Sequence, residues 1–280
     1  MRFLPLLVLV LVAILLPSCG EKPTYFEPQE HVVFLGNGLP DRMQHDAWLE
    51  TYLQSTHAEH ELVIRNHGFM GDRVNHRPRN QGFLAADDYL TISKATTVLA
   101  FFGYNESFDD NPEGFGEDLQ EWILHTRSQN YSGLGPPRIV LISPPAHEDL
   151  QDANFPDGKE NNVRLNQTMQ MMKTVAEEMQ VDFVDLFQPT LHAYAMKERA
   201  LTINGVHFNK FGNRVLGKII ADALLGYDVS LNPEDAQTLR TVIQDKNHHW
   251  FNRYRATDGN DVWGSRSGLS FTDGQSNADV

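Results

Sequence analysis

A single cysteine, Cys19, occurs in 280 residues. One thiol forms no intrachain disulfide and no cysteine-based zinc site, and it excludes a Cys-x-x-Cys-His haem attachment. Basic residues are also scarce: 23 Lys and Arg stand against 37 Asp and Glu, a formal net charge of −14. That balance argues against a nucleic-acid partner, because binding to phosphates draws on clustered Lys and Arg. It suits a soluble protein that handles neutral or cationic ligands. No Gly-x-Gly-x-x-Gly follows the first apolar run, and neither a Gly-x-x-x-x-Gly-Lys-Ser/Thr loop nor His-Glu-x-x-His occurs. Dinucleotide, phosphate-loop and zincin chemistry therefore have no motif to carry them, and no cofactor or metal is expected. No repeat with a period of about 20–50 residues marks a solenoid or propeller.

What is present begins with Met1-Arg2 and an apolar run from Phe3 to Leu16. That run falls short of the roughly 20 residues of a membrane span and has the length of a signal-peptide core. It ends in Leu16-Pro17-Ser18-Cys19, which resembles a bacterial lipobox, where the cysteine becomes the acylated first residue of the mature chain. The expectation is a signal peptide over 1–18, lipidation at Cys19, a Pro-containing tether over 19–30, and a protein exported to the cell envelope or secreted. Its membrane contact is then the N-terminal lipid anchor.

From 31 to 227 the chain alternates strand and helix patterns. Val32–Leu35, Leu62–Ile64, Val98–Phe102, Ile139–Ile142 and Phe183–Phe187 are short apolar runs bounded by Gly, Pro or Asn, as buried parallel strands should be. Helical spacing appears over Asp41–Ser55, Glu160–Met179 and Lys210–Leu225, the last with Asn209 as its cap. The methionines of the second helix (Met169, Met172, Met179) read as core packing. Such alternation implies βαβ units and an α/β sandwich with helices on both faces of the sheet. Over 228–280 one helix is expected from Pro233 to Gln244, followed by an irregular tail with Trp250, Phe251, Tyr254 and Trp263 at no clear period. His248-His249 are adjacent and point apart on any regular element, which argues against a shared metal.

In an open parallel sheet, ligands bind at the carboxyl ends of the strands. Polar clusters sit after each expected strand: Gly36-Asn37-Gly38, Asn66 to Asp72, Gly103-Tyr104-Asn105-Glu106, Ser143 to Glu148, and Asn204-Gly205-Val206-His207. In this order they resemble the SGNH hydrolases, or GDSL-type esterases and lipases, over about residues 31–227. The resemblance implies a flavodoxin-like three-layer α/β/α sandwich with a five-stranded parallel sheet. It also implies an ester hydrolase acting on acylated carbohydrate or a similar extracytoplasmic ester. Phe34 to Leu39 resembles the first block, usually Gly-Asp-Ser. Asn66-x-Gly68-x-x-Gly71 resembles the second, with Gly71 as a backbone donor to the oxyanion. Gly103 to Glu106 resembles the third, with Asn105 as the second donor. Asn204-Gly205-Val206-His207 resembles the last, usually Asp-x-x-His, with His207 as the base. Asn37 and Tyr104 are the further substrate-binding candidates.

Two positions depart from that pattern. Gly38 stands where the nucleophilic Ser is expected, and Asn204 where the Asp is expected. An Asn beside the base favours the wrong imidazole tautomer, and in serine proteases that change costs roughly 10⁴ in kcat. Three readings stay open. One is an esterase that uses water activated by His207, or a displaced hydroxyl such as Ser107 or Ser143, with Asp46, Asp72 or Glu148 as the orienting carboxylate. The second is a glycan- or ligand-binding module that has lost its chemistry. The third is a docking domain of a larger exported assembly.

Overall fold

Strands rich in Val, Ile, Leu and Phe and buried on both faces need helices on both sides of their sheet. The computed structural model, which describes residues 25–79, 83–196, 198–256 and 265–279, meets that need. The expected signal peptide, Cys19 and part of the tether, together with Trp263, lie outside the described residues. Five strands, β1 (His31–Gly36), β2 (Val63–Gly68), β3 (Thr97–Phe101), β4 (Arg138–Ile142) and β5 (Asp182–Val184), form one wholly parallel sheet. Their order is β2-β1-β3-β4-β5, the flavodoxin-like order. The helices are α1 (Gly38–Asp46), α2 (Trp48–Thr56), α3 (Ala86–Ile92), α4 (Pro112–Arg127), α5 (Lys159–Met179), α6 (Phe187–Met196), α7 (Lys210–Leu225) and α8 (Pro233–Ala256). A short hairpin, β6 (Ser270–Thr272) and β7 (Gln275–Ser276), lies near the C-terminus.

Side chains alternate along each strand, so each strand feeds two cores. Val32 and Phe34 join Met43, Leu53, Leu216 and Ile220 of α1, α2 and α7 on one face. Val33 and Leu35 join Leu90, Leu119, Ile123, Met172 and Val175 of α3, α4 and α5 on the other. The result is a three-layer α/β/α sandwich. Phe26, at the start of the described chain, is fully buried in the first of these cores.

Four elements differ from their expected form. The single helix expected over Asp41–Ser55 is two, because Ala47 takes a left-handed conformation with φ 58° between α1 and α2. A break of this kind frees carbonyls at the end of α1. Side chains of α8 take them up: Asn247 donates to Gln44 O (3.1 Å), Gln244 to His45 O (2.7 Å) and Arg240 to Asp46 O (3.1 Å). Strand β2 runs past the apolar Ile64 through Arg65, Asn66 and His67 to Gly68, paired along its whole length with β1. The last strand stops at Val184, since the Asp185 carboxylate accepts from the N–H groups of Phe187 (2.7 Å) and Gln188 (3.3 Å) and opens α6.

The fourth difference is the largest. The helix expected to end at Gln244 continues to Ala256, and Trp250, Phe251 and Tyr254 belong to it and not to an irregular tail. Its role explains its length. β2 is an edge strand, and its outward carbonyls need partners. Lys246 donates to Ile64 O (3.0 Å) and the Trp250 indole to Asn66 O (2.7 Å). Four residues of helix rise about 6.0 Å and two of strand about 6.6 Å, so this register matches. Tyr254 adds a bond to His67 O (3.3 Å), and the buried His67 ring stacks on Trp250 and Tyr254 at 5.6 and 5.3 Å. Lys246 also pairs with the buried Glu50 of α2. The edge is thus covered by a helix whose polar groups replace a sixth strand.

Candidate active site

The strand order puts a topological switch point between β1 and β3, and in such sheets the ligand crevice lies there, beyond the carboxyl ends. A cleft open to solvent on one side occupies that place. The turn into α1 contributes Asn37, Gly38, Leu39 and Arg42, the loop after β2 Met70 and Gly71, and the loop after β3 Tyr104 and Asn105. Ser143 to His147 come from the end of β4, and Val206 to Phe208 close the fourth side. Six of the residues singled out in the sequence therefore share one cleft: Asn37, Gly38, Gly71, Tyr104, Asn105 and His207. Asn204 stands behind His207, bonded to its ring.

Local chemistry fixes each wall. Gly36 has φ +140°, and a Cβ there would meet Phe101 O at 2.1 Å, so only glycine lets β1 turn this close to β3. Asn37 caps α1 by accepting from Leu39 N (3.0 Å), which sets Gly38 at the first helical position. Gly38 itself has an ordinary φ, and a Cβ on it would stand 2.6 Å from Sδ of Met70. Met70 is 50% exposed, so that neighbour is the movable end of a flexible side chain. The buried Asn66 ties β2 to α1, with Nδ2 donating to Pro40 O and Oδ1 accepting from Gly68 N, both at 2.8 Å.

The loops after β2 and β3 are cross-tied. Glu106 is buried and accepts from Gly103 N (2.9 Å) and Val74 N (2.8 Å). Burial pushes its carboxyl above the usual range, and those N–H bonds offset part of the rise. Asn105 donates Nδ2–H to Asp72 O (2.8 Å), which leaves the second proton of its amide for the cleft. Asp72 is fully engaged by Arg79, which bonds both carboxylate oxygens at 2.6 and 2.7 Å.

Burial pulls the pKa of His207 down and the positive charge of Arg42 lowers it further, so both favour the neutral ring. The Oδ1 of Asn204 accepts from the backbone N–H of His207 (2.9 Å) and of Val206 (3.2 Å). Those two bonds orient the amide, so its Nδ2 faces His207 Nδ1 at 3.0 Å. None of Asp46, Asp72 and Glu148 takes that place. Asp46 bonds Asn213 Nδ2 at 2.6 Å, and Glu148 accepts from Leu201 N, Thr202 N and Thr202 Oγ1. The two alternative hydroxyls are structural as well. Ser107 lies outside the cleft and donates to Tyr104 O (2.7 Å), while Ser143 lines it but accepts from Leu186 N (2.9 Å).

Glu148 is fully buried and anchors the segment that carries His207. Its backbone N–H also donates to Gly205 O at 2.8 Å. Glu148→Ala strands three buried donors, and the expected cost is about 3 kcal/mol of stability. Urea unfolding followed by tryptophan fluorescence measures it; an unchanged midpoint would show that the carboxylate is dispensable.

Arg42, Met70 and His147 line the cleft without having been marked as site residues by sequence. Arg42 had a signal, since it lies four positions after Gly38 on a helix and so shares its face. His147 is held between glycines: a Cβ at Gly158 or Gly205 would meet its ring at 2.5 or 2.2 Å. Among the described residues no cluster of three or more His, Cys, Asp or Glu side chains could hold a metal ion.

A family model described as GDSL-like lipase/acylhydrolase matches residues 37–215, which includes every wall of the cleft. No curated protein matches the chain by sequence. Among solved structures, a variant of an acetyl-xylooligosaccharide esterase from Geobacillus stearothermophilus superposes with a TM-score of 0.57 at 18% identity, over 75% of this chain and 100% of that one. An acetyl xylan esterase superposes with a TM-score of 0.51 at 19% identity, over 69% and 98%. A gut microbial diltiazem-metabolizing enzyme does so at 0.52 and 19%, and the match spans 71% of this chain and 47% of that enzyme.

Proposed function

Because the chain belongs to the GDSL-like lipase/acylhydrolase family, we propose that its cleft recognises acyl esters of carbohydrates and holds them without serine-acyl chemistry. The observation that carries this reading is the pairing behind His207. With Asn204 Nδ2–H donating to Nδ1, the neutral imidazole keeps its own proton on Nε2. The ring then offers the cleft a donor and not a base. Gly38 opens α1 where the family's first block supplies its serine, and it has no Oγ to deprotonate. Asn204 in place of a carboxylate cannot stabilise an imidazolium.

Binding parts remain on this reading. The Gly71 N–H and the spare Asn105 proton hold the ester carbonyl, with Tyr104 and Asn37 beside the sugar. Acetylated sugars as ligands are supported by the two acetylxylan-type esterases among the structural neighbours. We place the protein outside the cytoplasm on an acyl chain at Cys19, supported by the apolar run from Phe3 to Leu16 and the Leu16-Pro17-Ser18-Cys19 sequence.

One observation favours a second reading, direct hydrolysis by water. His207 is kept neutral by burial and by Arg42, as a general base near pH 7 must be. In that case the amide of Asn204 turns over, and Oδ1, 3.2 Å from Nδ1, accepts the ring proton. Calorimetric titration with an acetylated xylo-oligosaccharide, with acetate release followed in the same sample, separates the two. Saturable binding with release no faster than in buffer is the expected result. Release that disappears in His207→Ala establishes the water mechanism, and no binding at all removes carbohydrate esters as the ligand.

A further inference from the structure

Arg42 is a cation placed in a cleft that gives it nothing to neutralise. Among the described residues, the lining holds Arg42, His147 and His207 but no carboxylate. Arg42 has no ion pair there, and its Nε is buried without a hydrogen-bond partner. Three described arginines pair with acids, Arg79 with Asp72, Arg73 with Asp109 and Arg138 with Glu30 at 3.5 Å, and others such as Arg127 and Arg240 spend their N–H groups on backbone carbonyls. In a chain with 37 acidic and 23 basic residues, an acid for Arg42 would be easy to supply. Holding a partly buried guanidinium without a counter-charge costs stability, and a ligand that brings the charge recovers it.

The surroundings narrow the ligand. Arg42 lies one helical turn from Gly38, on the face of α1 that opens to the cleft, and the space beside Gly38 is taken by the exposed, movable thioether of Met70. Most of the other wall is apolar, with Leu39, Phe101, Ile142 and Pro144. One guanidinium matches one planar, singly charged carboxylate, which it receives through two parallel N–H bonds. The neutral ring of His207 adds a further N–H near that charge.

We propose that the cleft selects a carbohydrate that bears a carboxylate, an acylated uronate, and that Arg42 receives the carboxylate beside the Nε2–H of His207. The sugar and acyl parts of this ligand rest on the ester-binding reading above; the carboxylate preference does not.

The test runs two arms on the full chain. In the first, galacturonate and acetate are titrated against protein whose arginine side chains are followed by nitrogen-15 NMR. In the second, an acetylated galacturonide and a neutral acetylated xylo-oligosaccharide of equal length are compared by calorimetry. The expected result is a saturable shift of the Arg42 Nε signal with galacturonate. The acidic ester should also bind about tenfold tighter than the neutral one, as one charge-assisted bond supplies. That ratio falls to about one in Arg42→Gln, is partly kept in Arg42→Lys, and shrinks with added salt. Equal affinities in the wild type, or a ratio untouched in Arg42→Gln, overturn the carboxylate preference while leaving ester binding intact. A shift with galacturonate but no binding of either ester sustains the carboxylate site and removes the ester reading. Silence in both arms removes both.

Discussion

Gly38→Ser combined with Asn204→Asp raises the hydrolysis of a short aryl acetate by at least about 10³-fold over the unchanged chain. The backbone admits the serine, since Gly38 has an ordinary φ and the Cβ meets only the end of Met70, Sδ at 2.6 Å and Cε at 3.5 Å. That thioether is at the end of a half-exposed side chain and can swing away at small cost. The carboxylate enters an equally prepared place. Two backbone N–H groups, of Val206 and His207, already hold Oδ1, so an aspartate puts its second oxygen where Nδ2 now faces His207 Nδ1. The imidazole then changes tautomer, its proton sits on Nδ1, and Nε2 becomes free to accept from the serine. Parts that act as a unit are strongly non-additive, so each single substitution gains far less than the pair. Measuring kcat/KM for the wild type, both single variants and the pair decides the matter. A pair no more active than Gly38→Ser alone would falsify the tautomer account.

The second large effect is a loss of stability in acid that originates at His67. This ring is 1% exposed, stacked against both Trp250 and Tyr254, with Nε2 on the Ser93 hydroxyl at 2.9 Å and Nδ1 buried without a partner. Burial, with a smaller push from the Arg65 charge, lowers its pKa from 6.5 to about 3. Between those values the unfolded chain binds a proton that the folded one refuses. The contribution of His67 is therefore complete above pH 6.5 and declines as pH falls toward 3, by on the order of 4 kcal/mol across the window. His67→Phe keeps the stack and removes the titration. Chemical unfolding at pH 7, 5.5 and 4 should give a shallower pH slope for the variant than for the wild type. Equal slopes would show that the ring is not the origin. Because His67 lies at the end of β2 beneath α8, amide exchange in α8 should quicken first as the pH is lowered.

Much of the architecture can be read from residue order because it depends on local pattern. Continuous apolar runs bounded by Gly, Pro and Asn mark five strands, each overlapping an observed one, and Lys210–Leu225 is the observed α7. Strand β3 is displaced by one residue, and Phe187 belongs to a helix instead of a strand, since a buried apolar residue looks the same in either element. The polar end of β2 carries no apolar signal, because its partners are β1 on one side and the side chains of α8 on the other. The break at Ala47 leaves no local mark: an alanine adopts φ 58° there because α8, some 200 residues away by the bonds of Gln244 and Asn247, accepts the cost. The extent of α8 was hidden for the same reason. Its partners are α1, α2 and the edge strand β2, all far away in the sequence, so no local pattern announces its length.

The site divides along a similar line. Polar residues after each strand had to converge once the sheet was parallel, because all parallel strands end on the same side. The sequence could therefore identify Asn37, Gly38, Gly71, Tyr104, Asn105 and His207 as one cleft. Direction and pairing required the folded chain. Only there does Asn204 spend its carbonyl on two backbone N–H groups and turn its amide to His207. Only there do Ser107, Ser143, Asp72 and Glu148 show that their polar atoms are already used. Arg42 without an acid is likewise a fact of packing. Composition and periodicity fix which elements form, since those depend on neighbours along the chain; which polar atom meets which is set by contacts among residues far apart in it.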